Sequence, residues 1–219
     1  MGSASQAGYS KYRRLVSVII PAYNEEKSIS SVVSAAKDLS AKAIVVDDCS
    51  TDQTGLLARK AGALVVRHKR NLGYLEALRT GFRIASKPIV VILDADGQYD
   101  ADDIPRLVKP ILEGEADLVV GSREKIGSFS ETLLTKLTNL RVKISDASSS
   151  YKAIKSEIAR KMRLNGRCIC GSFLLEAAEL GAKIREVKVA SRERKFGRSR
   201  TRKEHLWQTL IVLKQIFHP

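Results

Sequence analysis

Lys87-Pro88-Ile89-Val90-Val91-Ile92-Leu93-Asp94-Ala95-Asp96-Gly97-Gln98 is the stretch that decides the fold. Its apolar run has the length and β-branched content of a buried strand. The strand delivers two carboxylates, one residue apart, to its carboxyl end, and in an open α/β sheet that edge is where ligands sit. An Asp-x-Asp pair with an amide oxygen nearby suits a hard divalent cation carrying a diphosphate.

Working outward, strands and helices alternate. Leu15–Ile20 reads as a strand ended by Pro21, and Glu25 to Leu39 has apolar residues at Ile29, Val32, Val33 and Ala36, which is helical spacing. Ala43–Val46 runs into Asp47-Asp48, Ser50-Thr51-Asp52 caps a second helix to Ala61, and Ala63–Val66 makes a third strand. Asn71 to Ala85 is predicted as a helix, followed by the central strand, a helix from Asp102 to Leu112 and a strand over Ala116–Val120. This alternation predicts an α/β domain with a mostly parallel sheet and helices on both faces. Past Gly121 the pattern loosens: Glu131 to Val142, Lys152 to Arg163 and Gly171 to Leu180 are predicted helical, Ile184 to Ala190 a strand, and Leu206 to Phe217 a last apolar helix. The expected organisation is a flexible segment over 1–14 and one domain over 15–219, with a donor half to residue 122 and an acceptor half from 123.

Length and composition suit one soluble domain of 219 residues, and no apolar run is long enough to span a bilayer. The first fifteen residues carry Lys11, Arg13 and Arg14 but no apolar signal core. Three cysteines, Cys49, Cys168 and Cys170, make no disulfide framework, and Cys168-Ile169-Cys170 lacks a second ligand pair at zinc spacing. Buried thiols in a reducing compartment are expected. His68, His205 and His218 lack ligand spacing and are expected at the surface.

The net charge of +14 sits almost wholly in the second half: residues 1–120 hold 16 Lys/Arg against 15 Asp/Glu, and 121–219 hold 22 against 9. Seven of the cations fall in Arg192–Lys203, which reads as a loop for phosphate or anionic headgroups. Within it Arg194, with Ser199 and Arg200 nearby, can grip a phosphate together with Arg123. The bland alternative is a solvated basic face.

Four motifs stand in order: Val18–Glu26 with Pro21-Ala22-Tyr23-Asn24-Glu25, Val45–Thr54 with Asp47-Asp48, Asn71-Leu72-Gly73, and Asp94–Gln98. In that order they resemble the family 2 glycosyltransferases of GT-A fold. The second half is most similar to polyprenol-phosphate sugar transferases of the dolichyl-phosphate mannose synthase type, through Gly121-Ser122-Arg123, Asp146–Lys152, Phe173–Glu176 and Arg194–Arg200. Three departures fall on the acceptor side: Ser149 stands where the family usually has Gly, Lys152 where it has Arg, and Arg123 to Asp146 is short. Cys49 also takes a position that is often Gly.

The resemblance implies transfer of a hexose, mannose or glucose, from GDP-mannose or UDP-glucose to a polyprenyl or dolichyl phosphate in one inverting displacement. It implies a nucleotide pocket of Pro21, Ala22, Tyr23, Asn24, Glu25, Asp48, Asp94, Ala95 and Asp96. Chemistry alone assigns Asp94, Asp96 and Gln98 to Mg²⁺ or Mn²⁺, which neutralises charge growing on the departing diphosphate. Asp94, Asp96, Arg123 and Arg194 are thus the candidate catalytic residues. A phosphate acceptor is already ionised and needs no strong base; a hydroxyl acceptor would need one, with Asp146 and Glu176 as candidates. Asp102 and Asp103 are assigned to helix capping.

Two partners follow, a nucleotide-sugar and a lipid phosphate, in a cytoplasmic protein. The last helix either packs on its own domain or lies at an anionic membrane face beside the basic loop. A soluble or glycan hydroxyl acceptor is the rival within enzymes. A receiver-like signalling module or a nucleic-acid binder are rivals of another class; the first expects its acidic pair after the first strand, and the second has only pI ≈ 9.8 in its favour, with five per cent aromatics and no recognised module. Oligomeric state is left open.

Overall fold

A computed structural model describes residues 13–40, 42–124, 127–166, 168–192 and 205–217. Most of the expected flexible segment 1–14 lies outside that range. Among the described residues the strands are β1 (Val16–Ala22), β2 (Lys42–Asp47), β3 (Leu64–Arg67), β4 (Ile89–Ile92), β5 (Leu118–Arg123), β6 (Lys152–Lys155) and β7 (Ile184–Val189). Among the described residues the helices are α1 (Ile29–Leu39), α2 (Thr54–Lys60), α3 (Tyr74–Ile84), α4 (Ile104–Leu112), α5 (Phe129–Thr138), α6 (Ser156–Ala159), α7 (Ser172–Glu179) and α8 (His205–Phe217).

One sheet runs in the order β3-β2-β1-β4-β6-β5-β7. The β1–β2, β1–β4, β2–β3 and β5–β7 pairs are parallel, and β6 runs antiparallel to both β4 and β5. The expected α/β architecture is present. Two apolar layers cover the sheet: α1, α2 and α4 pack Val33, Ala58 and Leu107 on one face, and α3, α7 and α8 pack Leu78, Phe173 and Val212 on the other. Gly81 lets α3 lie against β1, since a Cβ there would sit 2.4 Å from Ile19 Cγ2. The chain winds outward both ways from β1 and β4, which makes the edge between them the topological switch point.

The helix predicted over Lys152–Arg163 is corrected: Lys152–Lys155 is a strand and only Ser156–Ala159 is helical. Lys152, Ala153 and Ile154 are all buried between β4 and β5, so tertiary pairing overrides a pattern that also satisfies helical spacing. Capping ahead of α4 is corrected as well. Asp100 accepts from Asp102 N at 3.2 Å, and neither Asp102 nor Asp103 caps through its side chain.

Candidate active site

Strand register assembles the site. Pairing of Ile19 with Ile92 and of Ala22 with Asp47 brings the chain after β1, β2 and β4 to one edge. Tyr23, Asp48 and Asp94 therefore follow three neighbouring strand ends, the register carrying Asp48 beside Tyr23 and Asp94 beside Pro21.

Asp94 Oδ1 accepts from the Tyr74 hydroxyl at 2.9 Å, and Oδ2 accepts from the Ser150 hydroxyl. Ser150 arrives there by register, because the antiparallel Ile92–Lys152 pair continues two residues on to Asp94 and Ser150. Burial, reinforced by the Asp94 charge, holds the Tyr74 pKa well above its ordinary value, so the phenol stays a donor. Asp96 is 9% exposed and its Oδ1 accepts from Gln98 N at 3.1 Å. Gly97, at φ 73°, makes that turn without a Cβ penalty. Arg192 closes the far side: its N–H donates to Gln98 O at 2.8 Å, Gln98 Nε2 donates to Arg192 O at 3.3 Å, and its guanidinium meets Asp100 Oδ2 at 2.6 Å. The basic run thus begins against the aspartate turn.

Two carboxylates and an amide are oxygen donors, and the Tyr74 and Ser150 hydroxyls hold the Asp94 carboxylate in place. The residues fit a hard divalent cation.

Asp48 is expected from sequence to bind a base or ribose. The structure turns it inward: its oxygens accept from Leu72 N at 2.8 Å, Gly73 N at 2.7 Å and the His68 ring at 2.7 Å. It holds the Asn71-Leu72-Gly73 loop, and so sets where α3 and Tyr74 begin. His68 bridges Asp48 to Thr80 Oγ1 at 2.9 Å, with a side chain only 8% exposed. The surface placement expected of His68 is corrected.

The loop after β1 is zipped to the loop after β2. Asn24 N donates to Ser50 Oγ at 3.0 Å, Thr51 N to Asn24 Oδ1 at 2.8 Å, and Glu25 N to Thr54 Oγ1 at 2.8 Å. Asn24 and Cys49 adopt φ 55° and 64°, which explains why a chain of this pattern often has Gly at position 49. Asp47 is wholly buried and serves the turn, accepting from Ser50 N at 2.8 Å and Arg67 at 3.2 Å.

Arg123 is also placed differently from expectation. Its Nε and Nη2 clasp Asp146 at 2.7 and 3.0 Å, its backbone N adds 3.2 Å, and Nη1 faces Glu131 at 3.7 Å. The bidentate face meant for an acceptor phosphate is turned on a carboxylate. Asp146, 0% exposed, further accepts from Ser148 N and Ser149 N at 3.1 Å each. Burial on its own raises the Asp146 pKa, yet the Arg123 hydrogen bonds and charge outweigh it and hold the carboxyl below its usual 3.8. Glu176, the other candidate base, is 4% exposed and accepts from the backbone N–H groups of Arg163 and Leu164. Both act as anchors. Arg194, Ser199 and Arg200 lie outside the described residues.

Sequence reasoning missed Tyr74, Ser150 and Lys152. Lys152 is fully buried, donates to Ser149 O and lies 5.5 Å from the Phe173 ring centroid. Burial pulls its pKa from 10.5 down to about 8, against the opposing charges of Cys170, Asp146 and Asp94. The one signal for Lys152 was its replacement of the Arg that the family carries there.

The Glycosyl transferase family 2 model matches residues 17–179. Dolichol-phosphate mannosyltransferase of Pyrococcus furiosus is 32% identical over 173 residues, covering 68% of this chain and 49% of that protein. The chain thus spans about half of that relative's length. UDP-N-acetylglucosamine--dolichyl-phosphate N-acetylglucosaminyltransferase of Methanococcus voltae is 27% identical over 214 residues, covering 80% and 85%. Among solved structures, glucosyl-3-phosphoglycerate synthase of Mycobacterium tuberculosis, in complex with Mn²⁺, uridine diphosphate and glucosyl-3-phosphoglycerate, superposes with a TM-score of 0.79 at 26% identity over 96% of this chain and 82% of its own. Fold, strand-end aspartates and family match agree, and the chain belongs to glycosyl transferase family 2.

Proposed function

We propose that this glycosyltransferase moves a hexose, mannose or glucose, from GDP-mannose or UDP-glucose to a polyprenyl or dolichyl phosphate, with inversion. The observation that carries the choice of acceptor is the state of the two carboxylates a hydroxyl acceptor would need. Asp146 and Glu176 are both buried and held by backbone and guanidinium donors, so neither is free to take a proton. An acceptor already ionised at neutral pH needs no such base. The names of the Pyrococcus and Methanococcus relatives support the lipid phosphate.

Asp94, Asp96 and Gln98 would hold Mg²⁺ or Mn²⁺, which when bound neutralises the charge that grows on the diphosphate leaving group. Tyr74 and Ser150 fix the Asp94 carboxylate for that task. Pro21, Ala22, Tyr23, Asn24 and Glu25 line the nucleotide side, and Asp48 shapes it by pinning Leu72 and Gly73. Arg194, Ser199 and Arg200 are retained as acceptor-phosphate contacts. Arg123 acts through Asp146 as a positioning residue.

The membrane contact rests on α8. No described helix is long and apolar enough to cross a membrane, but Trp207, Leu210 and Phe217 are 57%, 56% and 67% exposed at the end of a basic run. Flotation with anionic liposomes at low salt tests it; a chain that stays at the bottom of the gradient removes the membrane from the proposal.

A second reading, a small soluble phosphorylated acceptor, is favoured by the fold match to glucosyl-3-phosphoglycerate synthase. Radiolabelled sugar transfer from GDP-mannose and UDP-glucose to dolichyl phosphate or 3-phosphoglycerate, with and without Mn²⁺, separates the two. Absence of turnover on dolichyl phosphate, with turnover on the soluble acceptor, refutes the first.

A further inference from the structure

Cys168, Cys170 and His205 meet in the core of the acceptor half, far from the oxygen ligands at Asp94 and Asp96 in chemical character. Their Sγ, Sγ and ring nitrogen atoms all lie within 4.8 Å of one another, and the residues are 3%, 5% and 4% exposed. The thiols come from the loop before α7 and the imidazole from the first residue of α8. We propose that these three side chains bind one Zn²⁺, with water at the fourth corner, and that the ion clamps α8 to the body of the domain.

Four observations carry this. The first is distance: Cys170 Sγ lies 3.7 Å from His205 Nε2. With Zn–S near 2.3 Å and Zn–N near 2.05 Å, a tetrahedral S–Zn–N edge is about 3.6 Å. The second is orientation. His205 Nδ1 sits 2.7 Å from Ser130 Oγ on α5, a contact that directs Nε2 at the thiols, as outer partners of metal-bound histidines do.

The third is the scaffold. Gln208, one turn after His205 and 0% exposed, accepts from Cys168 N at 3.3 Å and donates to Cys170 O at 3.4 Å and to Ser172 Oγ at 2.6 Å. Gly166 and Gly171 allow this approach: a Cβ would fall 2.6 Å from Gln208 Oε1 at the first and 2.5 Å from Thr138 Oγ1 at the second, and both have positive φ. Loop, α5 and α8 are thereby locked around the triad. The fourth is charge, since two thiolates and one imidazole leave a bound Zn²⁺ neutral overall, the state a buried site tolerates.

Cys-x-Cys alone carries no zinc spacing, and the expectation of a surface histidine hid the third ligand. The structure places His205 in the interior, so that expectation is corrected.

Metal analysis of the untagged, reduced chain, washed with excess Mg²⁺ to clear oxygen ligands, should find about one zinc per chain. A mercurial reagent that blocks thiols should release that zinc into a colorimetric chelator without any substitution being made. Cys170→Ser should lose the zinc, and Ser130→Ala should weaken it by about 10–100-fold while leaving the ligands in place. Co²⁺ in place of zinc should give a thiolate charge-transfer absorption that Cys170→Ser abolishes. Zinc below about a tenth per chain after reduction and reconstitution overturns the proposal. So does zinc that survives thiol blocking, or a Cys168–Cys170 disulfide as the form isolated under reducing conditions.

Discussion

Arg123→Ala separates an anchor from an acceptor grip. In the structure the guanidinium makes two charge-assisted bonds of 2.7 and 3.0 Å to a carboxylate that is 0% exposed, while the Arg123 side chain is itself only 16% exposed. Removing one partner of a buried pair costs about 3–5 kcal/mol, because the remaining charge stays desolvated. Asp146 would keep three backbone donors, from Arg123, Ser148 and Ser149, which puts the expected loss near the lower end, at about 3 kcal/mol. With a urea slope of about 2–3 kcal/mol per molar, the unfolding midpoint should fall by about 1 M. The acid limb should move as well. In the native chain the Asp146 carboxyl lies below 3.8, so its stabilisation is fully present above that pH and is lost as pH falls through the lower folded value. Without the Arg123 guanidinium, only the backbone donors and the charge of Lys152 oppose burial, so the Asp146 pKa should be depressed less and the stability lost on acidification through this carboxyl should shrink. Asp146→Asn added to Arg123→Ala should cost much less than the sum of the two, with a coupling of about 2 kcal/mol. A stability change under about 1 kcal/mol, accompanied by a rise in acceptor KM alone, would refute the anchor and return Arg123 to the acceptor.

Three further outcomes are expected. Tyr74→Phe removes one donor from Asp94 and should weaken Mn²⁺ binding by about 10-fold in calorimetric titration with nucleoside diphosphate, with the overall fold retained. Lys152→Met removes a fully buried cation whose folded pKa of about 8 lies below the unfolded 10.5, so the unfolded chain binds more protons between those values. Wild-type stability should therefore rise by about 3 kcal/mol from pH 8 to 10.5 on account of Lys152, a slope that the Met variant should lack in pH-dependent denaturation. Gly81→Ala places a methyl 2.4 Å from Ile19 Cγ2 and should cost about 1–3 kcal/mol by thermal or urea unfolding.

Where the chain signals its structure locally, the sequence is a good guide. The Ile89–Leu93 run needs only its own apolar residues to announce a buried strand, and the Asp94–Gln98 turn follows from the strand's end. Lys152–Lys155 fails because the same residues satisfy two periodicities, and the choice belongs to β4 and β5, which lie far away in sequence. Arg123 and Asp146 were legible as charges but not as a pair, since 23 residues separate them and only the return of the chain beside β5 joins them. The Asp48 carboxylate was legible at the right edge of the sheet; its orientation depends on Leu72 and Gly73, which no spacing rule connects to it. His205 was invisible for the same reason: its neighbours Ser130 and Cys170 come from two other elements.

The reversed direction of β6 has an architectural consequence. Had that strand run parallel to β4, its carboxyl end would have reached Asp94 and the sheet would simply have continued its winding; because it runs the other way, the residues leading into it arrive there instead. One wall of the crevice is therefore the exit of a strand and the opposite wall the entrance of another, joined through the excursion that follows β5. That excursion can lengthen or change its side chains while both fixed ends keep their register, a hinge-free way for one donor platform to be fitted with different neighbours.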